Sequence, residues 1–394
     1  MVREVVLTSA VRTAIGSFGG TLRDVPAMEL GAIVVKEAMR RSRIEPEMVE
    51  DVIFGCCMMR PDEYTIGRLI GLKSGIPFTT PGVTIQRQCA SGMQAVVYGA
   101  QQIMLGDAEI IVAGGVETMS RAPYYLKDAR WGARLRHREM SCGLWDGLTD
   151  SYCGLIMGLT AENLAEKYNI SRQEQDEVAL RSHNNAEKAT KEGKFKEEII
   201  PVEVPQRKGE PIIFDTDEHI RFGLTMDQLK RLKPTFKPDG TVTAGNSSGI
   251  NDAACAVVLM SKEKAKELGI QPMAKLVSYA VAGVEPELMG YGPVPATKKA
   301  LEKANLKLED MELIELNEAF AAQYLACEKL LGLNREITNV NGSGIALGHP
   351  VGCTGARIIT SLLYEMKRRG NQIGLATLCV GGGMGMASIW EIEG

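Results

Sequence analysis

Histidine is scarce in this chain: four residues among 394. Aromatic side chains are few as well, at 5%. No CxxC pair occurs, and no paired Cys–His spacing of a zinc site. The nine cysteines (56, 57, 89, 142, 153, 255, 327, 353 and 379) are odd in number. A disulfide framework and a structural metal are therefore not expected. No apolar run reaches the ~18 residues needed to span a bilayer. The first residues, Met1-Val-Arg-Glu-Val-Val, read directly as a strand, without a charged segment leading into an apolar one. A reducing cytoplasmic location and no membrane partner are expected. Positive charge is not in excess: 45 Lys and Arg face 49 Asp and Glu, for a net charge of −4. That balance gives no electrostatic case for nucleic acid. Low-complexity segments are absent too.

The rest of the composition is that of a globular protein, 45% apolar and 24% charged. A chain of 394 residues is long for one core, so two or three domains are expected. Nineteen methionines suggest core filler, with some lining an adaptable acyl pocket. Strand and helix signals alternate, which argues α/β with a buried sheet. Val5–Val11, Val52–Phe54, Val83–Ile85 and Ile110–Ala113 read as strands, and Ala27–Arg43 and Cys89–Leu105 as helices. The scheme then recurs. Ala274–Ser278, Leu313–Leu316 and Leu375–Leu378 read as strands; Ala296–Ala304, a segment from Ala319, and Cys353–Arg369 read as helices. Cys89 lies 17 residues before Gly106, and Cys353 lies 17 before Gly370. Both glycines sit where a helix would end, which predicts a duplication with a site at the junction of two similar halves. The stretch from about 120 to 249 is more polar and carries the basic run Arg130–Arg138. It reads as an insertion covering that site, with Ser171-Arg-Gln-Glu174 as a capping box for a charged helix.

Three glycine-flanked segments carry the chemistry: Gln88-Cys89-Ala-Ser-Gly92, Gly348-His349-Pro350 and Cys379-Val-Gly-Gly-Gly-Met-Gly385. Glycine lets backbone N–H groups approach a ligand closely. Cys89 is expected in the first turn of a helix, where the macrodipole would lower its pKa; the plainer alternative is a small buried hydrophobe. His349 is the one histidine in a glycine-rich turn, either a base or a side chain satisfied by turn carbonyls. His137, His183 and His219 fit surface positions. The turn after Cys379 either binds an oxyanion or simply joins two strands. Asn317 either caps the next helix or holds a water. Gly342–Gly348 mimics a dinucleotide fingerprint, but His349-Pro350 interrupts the helix it would need, and Glu365 falls mid-helix.

Together these segments resemble the thiolase family over essentially the whole chain. The matching motifs are Gln88-Cys89-Ala-Ser-Gly92-Met-Gln94, Gly114-Gly-Val-Glu-Thr-Met-Ser120, Asn317-Glu-Ala-Phe320-Ala-Ala-Gln323, Asn341-Gly-Ser-Gly344, Gly348-His349-Pro350 and Cys379 to Gly385. The resemblance implies a five-layered α/β fold of two βαβαβαββ halves, residues 1–269 and 270–394, with a coenzyme A-binding loop domain at about 120–249. It implies assembly as a dimer or tetramer. It implies no permanently bound cofactor and no metal, with coenzyme A and acyl-CoA as substrates. Cys89 would be the acylated nucleophile and His349 its base. Cys379 would move the α-proton of the second substrate. Asn317 would hold a water, and the N–H groups of Cys89 and Gly381 would form an oxyanion hole. Arg221, Phe236, Ala244 and Ser248 would meet the coenzyme, and Leu148, Met157, Ala319 and Phe320 would line its pantetheine. The implied activity is acetyl-CoA C-acetyl transfer; a 3-ketoacyl-CoA thiolase of fatty-acid breakdown is the alternative. Ile156, Gln228 and Cys353 depart from the short-chain biosynthetic pattern. Met157 and Met289 would fill the space that a long acyl tail needs.

Overall fold

The computed structural model describes residues 3–135 and 137–393. Arg136, in the basic run, lies outside them, as do Met1, Val2 and Gly394. The first half runs β1 (Val5–Thr13), α1 (Ala27–Ser42), β2 (Asp51–Gly55), α2 (Ile66–Lys73), β3 (Gly82–Ile85), α3 (Ser91–Leu105) and β4 (Ile110–Thr118). Residues 119–250 follow, with the helices α4 (Met157–Lys167) and α5 (Arg172–Lys191), before β5 (Asn251–Ser261) returns to the sheet. The second half runs β6 (Ala274–Gly283), α6 (Pro293–Ala304), β7 (Leu313–Leu316), α7 (Ala321–Leu331), α8 (Val351–Arg369), β8 (Ile373–Val380) and β9 (Met384–Ile392).

Strand order exposes the duplication. The first half reads β3-β2-β4-β5-β1, parallel across β3, β2 and β4, then antiparallel. The second reads β7-β8-β9-β6 with the same senses, and a bridge from Ile314 to Thr338 takes the place of β3. The halves join edge to edge where Val6 and Leu7 of β1 meet Lys275 and Ala274 of β6. Helix α1 covers one outer face and α6 the other, while α3 and α8 lie together between the sheets. The result is five layers, α/β/α/β/α. The strands β1, β4 and β5 are buried throughout, because both of their faces are covered by helices.

Helices α3 and α8 end alike. Gly106 and Gly370 take left-handed conformations, with φ of +84° and +70°, and each is followed by a backbone N–H bonded back to the last turn. The two helices touch through glycine. A Cβ on Gly355 would lie 2.4 Å from the Met93 nitrogen, and one on Gly92 2.9 Å from that of Ala356. Only bare backbone permits that approach.

Several boundaries differ from the sequence reading. Strand β4 runs through Gly114 and Gly115 to Thr118 instead of ending at Ala113. Both glycines are needed there, since side chains would strike the Cys255 and Gly352 carbonyl oxygens at 2.1 and 2.2 Å. Helix α3 starts at Ser91, two residues beyond Cys89. Helix α8 starts directly after Pro350, whose ring tolerates a helix start. The expected capping box on α5 is present: Ser171 and Glu174 exchange side-chain and backbone hydrogen bonds.

Candidate active site

Cys89 sits in a strained turn between β3 and α3. The preceding Gln88 has a φ of +43°, a left-handed conformation costing about 1–2 kcal/mol in a residue with a Cβ. Hydrogen bonds offset it. Ala90 N–H reaches Arg87 O at 3.0 Å, and Ser91 N–H reaches Gln88 O at 3.0 Å. The Ser91 hydroxyl donates to Gln88 O at 2.7 Å and accepts from Arg87 N–H at 2.8 Å. The cysteine is thereby held ahead of the helix, half-buried, instead of within its first turn. Its thiol is not the low-pKa group expected from the macrodipole. Burial pushes it up to about 11, against the N–H groups of Gly381 and of Cys89 itself, which face the sulfur and favour the thiolate.

His349 follows Gly348, whose φ of +110° leaves room for the Asn251 side chain against the backbone. Asn251, at the start of β5, accepts from His349 N–H at 2.9 Å and donates to Gly16 O at 3.0 Å. The imidazole Nδ1 lies 2.7 Å from the Thr354 hydroxyl, which donates its own proton to Pro350 O at 2.9 Å. With its proton on Pro350 O, Thr354 accepts from Nδ1–H, the tautomer that leaves the lone pair on Nε2. Burial, then the charge of Arg357, holds the imidazole down at about 3, so it rests neutral. Asn317, placed by the end of β7, brings Nδ2 to 3.5 Å from the same Nδ1. It does not cap α7, whose N-cap is Phe320. Its Oδ1 is buried with no partner among the described residues.

Cys379 lies one residue before the end of β8, opposite Gly385 of β9. It is fully buried, and burial, then Cys89 and Cys327, raises its thiol well above the ordinary range. The triple-glycine turn joins the two strands, with Gly382 and Gly383 at φ of +86° and +79°. Three supporting residues escaped the sequence reading: Asn251, Thr354 and Glu117. Glu117 is fully buried at the end of β4. It accepts from Cys57 and Met58 N–H at 3.0 Å each and from Gly352 N–H at 2.8 Å. One carboxylate thus ties the loop after β2 to the start of α8, across both halves. Burial raises its pKa, and those three N–H groups oppose the shift. Its motif was visible in sequence, but its partners lie 60 and 235 residues away.

A cavity of about 640 Å³ is lined by both Cys89 and His349. Arg221, Phe236, Ala244, Ser248, Leu148, Met157, Ala319 and Phe320 all line it. Phe236 and Phe320 meet edge to face at 6.3 Å, and Phe236 lies where a Cβ on Gly158 would be. Ser248 N–H bonds Ala319 O, and Ala321 N–H bonds Asn246 O, both at 2.9 Å, so the small-residue turn is stitched to the segment after Asn317. A second cavity of about 720 Å³ reaches the same cysteine, lined also by Gln88, Tyr152, Pro286, Gly381 and Gly382. Leu148, Met157 and Val351 border both. Two of the histidines expected at the surface are not there. His219 is half-buried in the first cavity, and His183 is 1% exposed.

The thiolase N-terminal domain family matches residues 5–263, and the thiolase C-terminal domain family matches residues 270–392. The acetyl-CoA acetyltransferase of Syntrophomonas wolfei is 52% identical over 399 residues, spanning 99% of this chain and 100% of that protein. The crystal structure of the Bacillus anthracis acetyl-CoA acetyltransferase matches with a TM-score of 0.98 and 54% identity, covering 99% of each chain. Human mitochondrial 3-ketoacyl-CoA thiolase, solved in complex with CoA, matches with a TM-score of 0.96 and 44% identity, covering 100% of this chain and 98% of that one. With both domain families matched along nearly its whole length, the chain belongs to the thiolase family.

Proposed function

We propose that this thiolase is an acetyl-CoA C-acetyltransferase that joins two acetyl-CoA molecules, and splits acetoacetyl-CoA, through an acetyl group carried on Cys89. The observation that carries this reading is the one cavity lined by Arg221, by Cys89 and by a neutral His349. In the first half-reaction the Cys89 thiol gives its proton to His349 Nε2 as sulfur attacks the thioester carbonyl. The C–S bond to coenzyme A breaks, and the same proton leaves with the coenzyme thiol. Thioester replaces thioester, so the step is near balance. The N–H groups of Cys89 and Gly381, already directed at the sulfur, are the donors for the carbonyl oxygen as it gains charge.

In the second half-reaction the Cys379 thiol gives up its own proton to solvent, and the thiolate so formed removes the α-proton of the next acetyl-CoA. Its raised pKa makes its thiolate a strong base, suited to a weakly acidic carbon. His349 and a water on the unpartnered Asn317 Oδ1 stabilise the enolate oxygen. The enolate carbon then attacks the acetyl carbonyl, and Cys89 sulfur leaves and takes up a proton from solvent, which restores both thiols. Arg221 meets a coenzyme phosphate, while Phe236, Ala244, Ser248, Leu148, Met157, Ala319 and Phe320 hold the pantetheine. Residues 1–269 and 270–394 act as the two halves, with the coenzyme loop domain at about 120–249. The nine cysteines are free thiols, which supports a reducing cytoplasmic setting, and among the described residues no helix is long and apolar enough to cross a membrane. Large apolar side chains left exposed, Trp131, Leu135 and Tyr152 among them, support assembly as a homodimer or homotetramer.

Mixing the protein with acetyl-CoA should add one acetyl group to the Cys89 peptide by mass spectrometry. Full labelling of Cys89→Ala at another cysteine contradicts the reading. The second cavity at Cys89 favours the alternative, a thiolase for longer 3-ketoacyl chains. Against it, the long Met157 side chain lines both cavities and Met289 lines the first, taking up space that a longer tail would need.

A further inference from the structure

Helix α5 touches neither the nucleophile nor the base, yet three of its side chains grip the segments that matter. His183, on its inner face, is 1% exposed. Its Nδ1 accepts from the backbone N–H of Arg221 at 3.1 Å. One turn on, Glu187 Oε2 accepts from Gly223 N–H at 2.7 Å. Glu187 is held in turn by Lys191, a further turn along. Gly223 has a φ of +68°, so the chain turns sharply between the two anchors' far end and the next helix. The residue before His183 is buried too and bonds different segments. Ser182 donates to Glu318 and accepts from Ser343 N–H at 3.2 Å. Glu318 is the neighbour of Asn317.

An imidazole buried to receive one backbone N–H, with a carboxylate repeating the contact at the next turn, is more than side-chain packing requires. Among the described residues, Arg221 is also the one Lys or Arg along the first cavity's lining. We propose that His183 and Glu187 are positioning residues for coenzyme A: they clamp residues 221–223 against α5, so that Arg221 is held ready for the coenzyme's phosphates. His183 acts only while neutral at Nδ1. Burial, with His219 and Arg221 nearby, holds its pKa at about 3, so the acceptor is intact across the working range. This inference rests on the role given to Arg221 under the proposed function.

The test compares coenzyme A with a pantetheine thioester that lacks the nucleotide phosphates. His183→Leu removes the acceptor, and His183→Asn restores one, with Oδ1 near the place of Nδ1. His183→Leu should raise KM for coenzyme A about tenfold, the equivalent of one hydrogen bond, with kcat changed by less than twofold and the pantetheine thioester unaffected. His183→Asn should recover most of the loss. In an Arg221→Ala background, His183→Leu should add nothing, because it acts through that arginine. Equal losses with both substrates, or no recovery by Asn, overturn the clamp. If Arg221→Ala leaves KM for coenzyme A unchanged, the assignment of Arg221 itself fails. If Arg221→Ala raises KM but His183→Leu does not, only the clamp fails. Should His183→Leu not fold, Glu187→Ala decides: a KM rise confined to coenzyme A supports the clamp, and its absence overturns it.

Discussion

Removing the His349 imidazole should change how the reactivity of Cys89 depends on pH, and by a margin that follows from the site. Burial lifts the thiol to about 11 and keeps the imidazole near 3, so between those values both resting groups are neutral. Without a base, only spontaneously formed thiolate reacts. At pH 8 that is ~1 molecule in 1,000, and the fraction grows tenfold with each pH unit up to the thiol's pKa. With His349 in its proposed role as base, the proton would leave to Nε2 during attack, and hydroxide would not be needed. The measurement is the second-order rate constant for iodoacetamide at the Cys89 peptide, from pH 6 to 9. The native protein should vary less than about threefold, while His349→Ala should rise about tenfold per unit. At pH 7 the native rate should exceed the variant's by ~100-fold or more, a usual general-base contribution. Parallel slopes in the two proteins would refute the argument, because His349 would then not be taking the proton.

Cys379→Ser should still exchange acetyl groups with free coenzyme A, yet lose carbon–carbon bond formation by at least ~100-fold; equal losses would make Cys379 structural or needed for acylation. Thr354→Val removes the acceptor that fixes the His349 tautomer, and should lower the acylation rate about tenfold in single-turnover assays with KM unchanged. Gly355→Ala gains up to about 1 kcal/mol of helix propensity but drives a Cβ to 2.4 Å from the Met93 backbone nitrogen, which cannot swing aside. Overpacking should win, with a net loss of about 1–3 kcal/mol by urea denaturation. For thiolysis, kcat/KM should fall steeply from four-carbon to eight- and twelve-carbon 3-ketoacyl-CoA; rising values would make the longer-chain reading correct.

Much of this could be read before any coordinates, and the failures have particular causes. Leu313–Leu316 was readable as a strand to the residue, because four apolar or paired positions stand between clear breaks. The helix-end glycines Gly106 and Gly370 were readable because a left-handed cap demands glycine there. Glycine misleads in β4, where the sequence pattern ends the strand at Ala113, before Gly114 and Gly115. They are instead the points where β5 and α8 come within contact of the strand. His183 was assigned to the surface because its helix is charged overall. Its burial depends on which face of the helix it occupies, and His183 falls on the inner one together with Gln175, Val178, Ala179, Ser182 and Ala186. The raised pKa of Cys89 was hidden for a different reason. Dipole arguments use local sequence, whereas burial of the thiol depends on segments from the other half of the chain. Glu117, Asn251 and Thr354 are known by what they bind, not by where they fall in a pattern.

The equal ends of α3 and α8 invite a comparison of their beginnings. Cys353 stands as far from Gly370 as Cys89 does from Gly106, so the duplicated scaffold offers two positions for one sulfur. They have opposite fates. Helix α8 begins at Val351, which draws Cys353 into helical backbone, fully buried and bonded along the chain, while α3 begins late and leaves Cys89 on a turn facing a cavity. A delay of a few residues in helix initiation therefore breaks the pseudo-symmetry of the molecule. One half presents the proposed nucleophile. The other half, its mirror position sealed, is left to supply the residues that surround it.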